Sequence, residues 1–344
     1  MCRRTSQRNL RMFSHHSHSG EYVAHGADTL EAVVAEALRQ GFHTYCLTEH
    51  MPRLDEAYLY PEERSGAAAR DLRGLAELFG RYVEHAARLR QHVDGMAVLV
   101  GMEAEACDRQ HVAYAKRLLQ DFGSHVQFCV GSVHHVYGIP IDFSQTLWDS
   151  ALQQAGGNLK RLLADYFDWQ YYMLRELQPE VVGHFDLIRL YLPRDRFWVE
   201  LGTGAVSDTY LGGNWTHIAL VSARIVSLWE DVQSRVVRNL EYIASYGGLV
   251  EINSAGLRKG LADPYPHRDV ALLVKRYAGA RFILSDDAHS VSQVGTEYVR
   301  TLEYVENVLQ LEGLFYLAEA SSGPTALEAK YMSLQEIKES RFWK

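Results

Sequence analysis

Seven apolar, β-branched runs recur along this chain, and each closes on a residue that can bind a metal ion or an anion. They are 11–18, 43–50 (HTYCLTEH), 96–106 (MAVLVGMEAEA), 125–136 (HVQFCVGSVHHV), 180–186 (EVVGHFD), 248–254 (GLVEINS) and 281–289 (RFILSDDAH). Most are continuously apolar rather than alternating, so both faces of each strand should be buried, as in a parallel sheet. Parallel strands that each present a final side chain at one mouth are how a (β/α) barrel builds an active site. Helical patterns separate the runs, over 29–39, 72–92, 111–122, 158–177, 217–246, 270–277 and 297–309, the first with Asp28 as its N-cap and Gly41 past its end. The alternation reads as seven βα units in order. No Pro/Gly/Ser linker divides them, so 12–344 is expected to be one domain. Residues 1–11 carry four arginines and no acid. They read as a flexible extension rather than a transit peptide, being short and not clearly amphipathic.

Composition narrows the function. At 344 residues and 47% hydrophobic content the chain can bury a large core. A net charge of −8 without a basic stripe argues against a nucleic-acid partner. No apolar run nears the ~20 residues of a membrane span. Cys2, Cys46, Cys107 and Cys129 form no CxxC pair, which suits buried thiols in a reducing, cytoplasmic setting. Oligomeric state is left open. The 16 histidines are the compositional oddity, and many stand at strand ends.

His16 and His18 share a side if the strand is regular, so both imidazoles can reach one ion, whereas His15 is out of phase. His25 follows on the loop before the first helix. His50 closes the second run, beside Glu49, which reads as a supporting carboxylate. Glu103 lies within the apolar third run, where a carboxylate is costly unless paired or metal-bound. Its two oxygens can bridge two ions. Glu105, two residues on, faces the same side and can contact substrate. One of His134 and His135 should face inward after the fourth run, and His184 ends the fifth. Asp287 and His289 share a face after the seventh, leaving Asp286 turned away. Arginine forks match phosphate oxygens. Arg189 and Arg258 follow strands and are the stronger candidates, with Arg53 and Lys259 behind them. Imidazole and carboxylate ligands without a thiolate set suit Zn, Fe or Mn.

Taken together, MFSHHSHSGEYVAHG, LTEHMPR, GMEAE, GSVHH, VGHFD, EINSAGLRKG and SDDAH resemble, in order, the motifs of the PHP (polymerase and histidinol phosphatase) superfamily, over roughly 12–307. The opening and the TEHMPR continuation are most similar to fungal histidinol-phosphate phosphatases. The resemblance implies a distorted (β/α)7 TIM-like barrel with up to three divalent metals at the carboxyl ends of the strands. It places one metal on His16, His18, Glu103 and Asp287, a second on Glu103, His134 and His184, and a third on His25, His50 and His289. It maps the phosphate-clamping arginines to Arg189 and Arg258.

The implied reaction is hydrolysis of a small-molecule phosphate ester, L-histidinol phosphate, to L-histidinol and phosphate in histidine biosynthesis, by in-line attack of a metal-bridging hydroxide. The catalytic positions are then Glu103, Asp287, Arg258 and Arg189, with Arg53 and Glu105 at the substrate. No residue is identified as proton donor to the leaving alkoxide. The loops 51–69 and 193–215 follow strands, so they should wall the mouth and select the imidazole and ammonium through Tyr58, Tyr60, Glu62, Glu63, Trp198 and Asp208. Another PHP phosphoesterase, acting on broad monoesters or nucleic-acid 3′ ends, is the alternative. An amidohydrolase fits less well, because the third run offers Glu103 and no lysine. A non-catalytic metal-binding module fits poorly with a full ligand set.

Overall fold

The continuous apolar runs pair as parallel strands: β1 (Met12–Ser14), β2 (Phe42–Leu47), β3 (Ala97–Glu105), β4 (Phe128–Ser132), β5 (Val181–Val182), β6 (Leu249–Asn253) and β7 (Phe282–Ser285). Each bonds to the next in sequence order. The computed structural model describes residues 12–192, 196–220, 223–321 and 323–343, so the expected extension 1–11 and Cys2 lie outside it. The two end strands meet along a short seam. The His15 N–H donates to the Leu284 carbonyl, the Asp287 N–H to that of His16, and the His18 N–H to that of Ala288. Ser17 and Ala288 form a parallel bridge there. These bonds draw the ends of the parallel sheet together in the manner of a distorted (β/α)7 barrel.

Side-chain parity builds its interior. Cys46, Leu99, Phe128, Val130, Val181, Leu249 and Ile283 form one apolar cluster drawn from β2 to β7. Two residues further along the same faces the character changes to Gly101, Ser132, Glu251 and Ser285, and then to Glu103, His134, Asn253 and Asp287. Gly101 leaves room for the plug, since a Cβ there would stand 2.6 Å from the Phe128 ring. Helices α1 (Leu30–Gln40), α2 (Ala68–His92), α3 (Arg109–Asp121), α4 (Gln145–Gln154), α5 (Leu159–Leu177), α6 (Glu230–Tyr246), α7 (Arg268–Tyr277) and α8 (Tyr298–Glu303) cover the outside. Val33, Val34 and Ala37 of α1 and Tyr82, Val83 and Ala86 of α2 are buried in this outer layer.

Several elements differ from the sequence reading. Thr29, not Asp28, caps α1. Asp28 instead takes a φ of 69° and accepts the Val291 N–H at 2.8 Å. The stretch 217–246 is not one helix, because Trp215–Ala219 is a strand in a three-stranded antiparallel sheet with Arg196–Glu200 and Val206–Ser207. A short apolar run of this kind suits either periodicity, and its ladder partner decides. The helix 297–309 ends in a π-turn over Tyr304–Val308.

A final hairpin of β8 (Gly313–Ala320) and β9 (Gly323–Ser333) is an addition to the seven units. β8 pairs with β7 through Phe315 and Ile283, and Leu317 joins the interior apolar cluster. His15, the out-of-phase histidine, stitches this junction. Its Nδ1 lies 3.0 Å from the Leu284 carbonyl while its Nε2 accepts the Leu317 N–H at 3.1 Å.

Candidate metal centre

Just past the carboxyl ends of the strands, the ligand-type residues converge on Glu103. One of its oxygens, Oε1, lies 3.1 Å from His184 Nε2 and 3.3 Å from His134 Nε2. The other, Oε2, lies 3.3 Å from His16 Nε2 and 3.5 Å from His18 Nε2. Asp287 Oδ1 completes the second group, 3.8 Å from His16 Nε2 and 3.6 Å from His18 Nε2. Two ligands bonded at ~2.1 Å to one tetrahedral ion stand roughly 3.4 Å apart, so these separations fit metal coordination. The nitrogens support the fit, because His16 Nε2 and His18 Nε2 are buried and have no hydrogen-bond partner. Of the adjacent pair it is His134 that faces this centre, and His135 lies against Tyr58.

Behind the imidazoles stands a row of carboxylates. The far nitrogen of His16, Nδ1, is 2.9 Å from Glu251 Oε1. That of His18 is 3.5 Å from Glu49 Oε2, and that of His134 is 3.0 Å from Glu105 Oε2. Such partners fix the tautomer and aim the other nitrogen into the site. Glu49 is itself held by the Ser19 N–H at 2.9 Å and hydroxyl at 2.7 Å. Glu251 accepts from Ser285, from the His184 N–H at 2.5 Å and from Asn253 at 3.0 Å. Asn253 also reaches Asp287 Oδ2 at 3.2 Å.

The sequence reading missed Glu251, although the warrant used for Glu103, an acid inside an apolar strand, applies equally. Glu105 was expected at the substrate, but the structure occupies it otherwise. It pairs with Arg53 at 2.6 Å, His50 at 2.8 Å and His134 at 3.0 Å. Arg53, also expected at the substrate, is spent on that pair, on the Met51 carbonyl and on the Tyr60 ring. Neither lines the cavity.

A cavity of about 410 Å³ opens over the centre, and Glu103, His134, His184 and Asp287 are in its wall. His25, His50 and His289 line it too, with ring centroids 4.8 Å apart for His25–His289 and 5.4 Å for His25–His50. One nitrogen each of His18, His50 and His289 can share an ion. Arg258 and Lys259 are in the same wall. The Arg258 guanidinium donates to the Asp286 and Asp287 carbonyls, each at 2.8 Å, across a bend where Asp287 takes a φ of 49°. A non-glycine residue in that region is held by its surroundings, and here the arginine fork helps to hold it.

Arg189 stands behind the cavity wall. It does not line the cavity, and its guanidinium faces Asp269 at 3.5 Å, Asp186 at 3.7 Å and the Ala223 carbonyl at 3.1 Å. Two acids flank this buried cation. Of the proposed wall residues, Tyr60 and Glu62 line the cavity, and Tyr58, Glu63, Trp198 and Asp208 do not. Trp198 belongs to the small antiparallel sheet, where it stacks on His217 at 4.7 Å. Of the loop 193–215, residues 193–195 lie outside the described chain.

Charge is polarised within the site. Burial opposes ionisation of Glu103, but the imidazoles of His16, His50 and His134 outweigh it and hold its carboxyl well below the usual range. Burial also opposes a charged His50, yet Glu105 and Glu103 raise it to about 9. Burial and the neighbouring His50, His289 and His16 rings hold His18 well below the ordinary imidazole value. Glu49, pushed up to about 8 by burial against the pull of Ser19, sits at the edge of this field.

Residues 14–255 match the PHP domain family. The chain belongs to the PHP family. It is 44% identical over 339 residues to the histidinol-phosphatase of Saccharomyces cerevisiae, covering 96% of this chain and 99% of that protein. Two solved structures share the PHP fold at low identity. One, from Listeria monocytogenes, superposes with a TM-score of 0.63 at 19% identity over 84% of this chain and 99% of its own. The other is a histidinol phosphate phosphatase from Lactococcus lactis in complex with zinc, L-histidinol and phosphate, with a TM-score of 0.53 at 18% identity over 85% and 94%.

Proposed function

We infer that this PHP barrel is a histidinol-phosphatase, which hydrolyses L-histidinol phosphate to L-histidinol and phosphate in histidine biosynthesis. The observation that carries this is the 44% identity to the yeast enzyme along nearly the whole of both chains. The site supports it, because every ligand position expected from the sequence holds a competent side chain and nearly all of them meet around Glu103. The zinc-bound Lactococcus relative is consistent with a metal-dependent reaction.

We assign one divalent ion to His16, His18, Glu103 and Asp287 and a second to Glu103, His134 and His184. A third belongs with His25, His50 and His289, and Zn, Fe or Mn suits all three sets. When bound, such ions neutralise phosphoryl charge and lower the pKa of water. The chain's own residues do the rest. Glu103 supplies one oxygen to each of two ligand groups and so fixes their spacing. Glu251, Glu49 and Glu105 keep three imidazoles aimed inward. Arg258 and Lys259 face the phosphate, and charge-assisted contacts from them stabilise its non-bridging oxygens. Arg189 supports the wall through Asp186 and Asp269. Partners are small phosphate esters, and no helix among the described residues is long and apolar enough to cross a membrane.

Phosphate release from a panel of monoesters tests the assignment. The expected result is a kcat/KM for L-histidinol phosphate at least about 100-fold above that for p-nitrophenyl phosphate, as two specific polar contacts would give. Equal efficiency on both would point to a PHP phosphoesterase of broader duty.

A further inference from the structure

The cavity has a second end that the phosphate chemistry leaves unused. Asp142 and Phe143, on the loop after β4, line it together with Tyr60 and Glu62 from the loop after β2. Arg258 and Lys259 come from the loop after β6, and Gln293 from beyond β7. In strand order β5 separates β4 from β6, so the cations and these two acids enter on different loops.

Two features of this end call for a ligand. Asp142 Oδ1 is buried and has no hydrogen-bond partner, although a buried carboxylate oxygen is costly to leave unpaired. Phe143 is 43% exposed, an apolar ring held open at the mouth, and lies nearly parallel to Tyr60, with 13° between the planes and 6.2 Å between centroids. A carboxylate beside an aromatic pair suits a ligand with a flat ring and a positive charge.

We propose that Asp142, with Phe143 and Tyr60, forms the specificity subsite for the non-phosphate end of the substrate. The Asp142 carboxylate accepts a hydrogen bond from the ammonium group, and the two rings pack against the imidazole. This rests on the histidinol-phosphatase reading and adds the residues that distinguish an amino-imidazole ester from other alkyl phosphates. Asp142 and Phe143 lie in the IDFSQ stretch ahead of α4.

The test compares L-histidinol phosphate with glycerol 3-phosphate, an alkyl monoester with a similarly poor leaving group but no ring or cation. Asp142→Asn keeps the shape and removes the charge, and Phe143→Ala removes an exposed ring, so both variants should fold. The readout is the ratio of the two kcat/KM values, together with inhibition by L-histidinol. In Asp142→Asn the ratio should fall on the order of 10–100-fold, with L-histidinol inhibition weakened by a similar factor. In Phe143→Ala it should fall about 3–10-fold. An unchanged ratio overturns the subsite, whether overall activity is intact or equally reduced on both esters, the latter marking Asp142 as general acid or scaffold. A wild-type enzyme with no preference for L-histidinol phosphate overturns the function itself and the subsite with it. A wild-type preference that survives Asp142→Asn overturns the subsite alone.

Discussion

Glu103 is the residue on which the site turns. Its two oxygens face separate groups, His134 and His184 on one side and His16 and His18 on the other. Glu103→Gln keeps the volume but leaves one oxygen and an amide that donates toward imidazole nitrogens. We expect turnover on L-histidinol phosphate to fall by at least about 100-fold, with bound metal per chain reduced by elemental analysis and far-UV circular dichroism unchanged. A variant with near wild-type rate and full metal content would exclude the bridging role. Glu251→Gln, which weakens the support behind His16 and the bonds from Ser285, Asn253 and the His184 N–H but removes no ligand oxygen, should cost less, about 10-fold. Parity along a strand made Glu103 and Glu105 legible as inward-facing from the sequence. It does not say which residue from another loop arrives beside each. That is why Glu105 read as a substrate contact until Arg53 and His134 were seen to occupy it.

Among elements, helix α7 and its approach carry a buried charge cluster around Arg189. Asp269 in its first turn meets His267 at 2.7 Å and Arg189 at 3.5 Å and accepts the Val226 N–H at 3.2 Å. Burial disfavours the carboxylate, but His267 and Arg189 outweigh it and hold its pKa below the ordinary 3.8. A depressed folded-state pKa means that the unfolded chain binds the proton first on acidification. The stabilisation is therefore full above about pH 4 and is lost as pH falls through the folded value. Asp269→Asn should lower Tm at pH 7, with a cost of about 1–3 kcal/mol, and the gap from wild type should narrow toward pH 3. A gap that is constant between pH 7 and pH 3 would show that the charge is not what stabilises. Element by element, the long amphipathic helices were readable because their apolar stripe has one period. The strand Trp215–Ala219 was not, because five residues cannot separate helical from extended periodicity and its ladder partner lies fifteen or more residues away.

At the scale of the molecule, the order of seven βα units was legible because each unit buries both faces of its strand and so repeats one signal. The β8–β9 hairpin was not, since it breaks that rule, pairing antiparallel while still sending Phe315 and Leu317 toward the barrel interior. The barrel puts an apolar cluster beneath and polar layers above, so ligands from separate strands share a buried centre at its mouth. Such a site holds closely spaced carboxylates and imidazoles whose charges divalent ions are suited to balance. The central claim is that these ions are required for phosphomonoester hydrolysis. It is tested most directly by stripping the protein with a chelator, verifying metal loss by elemental analysis, and measuring phosphate release from L-histidinol phosphate before and after adding back Zn, Mn or Fe. The account predicts loss of activity in the stripped protein and its recovery with at least one of these ions. A verified metal-free protein that releases phosphate at the original rate would contradict it.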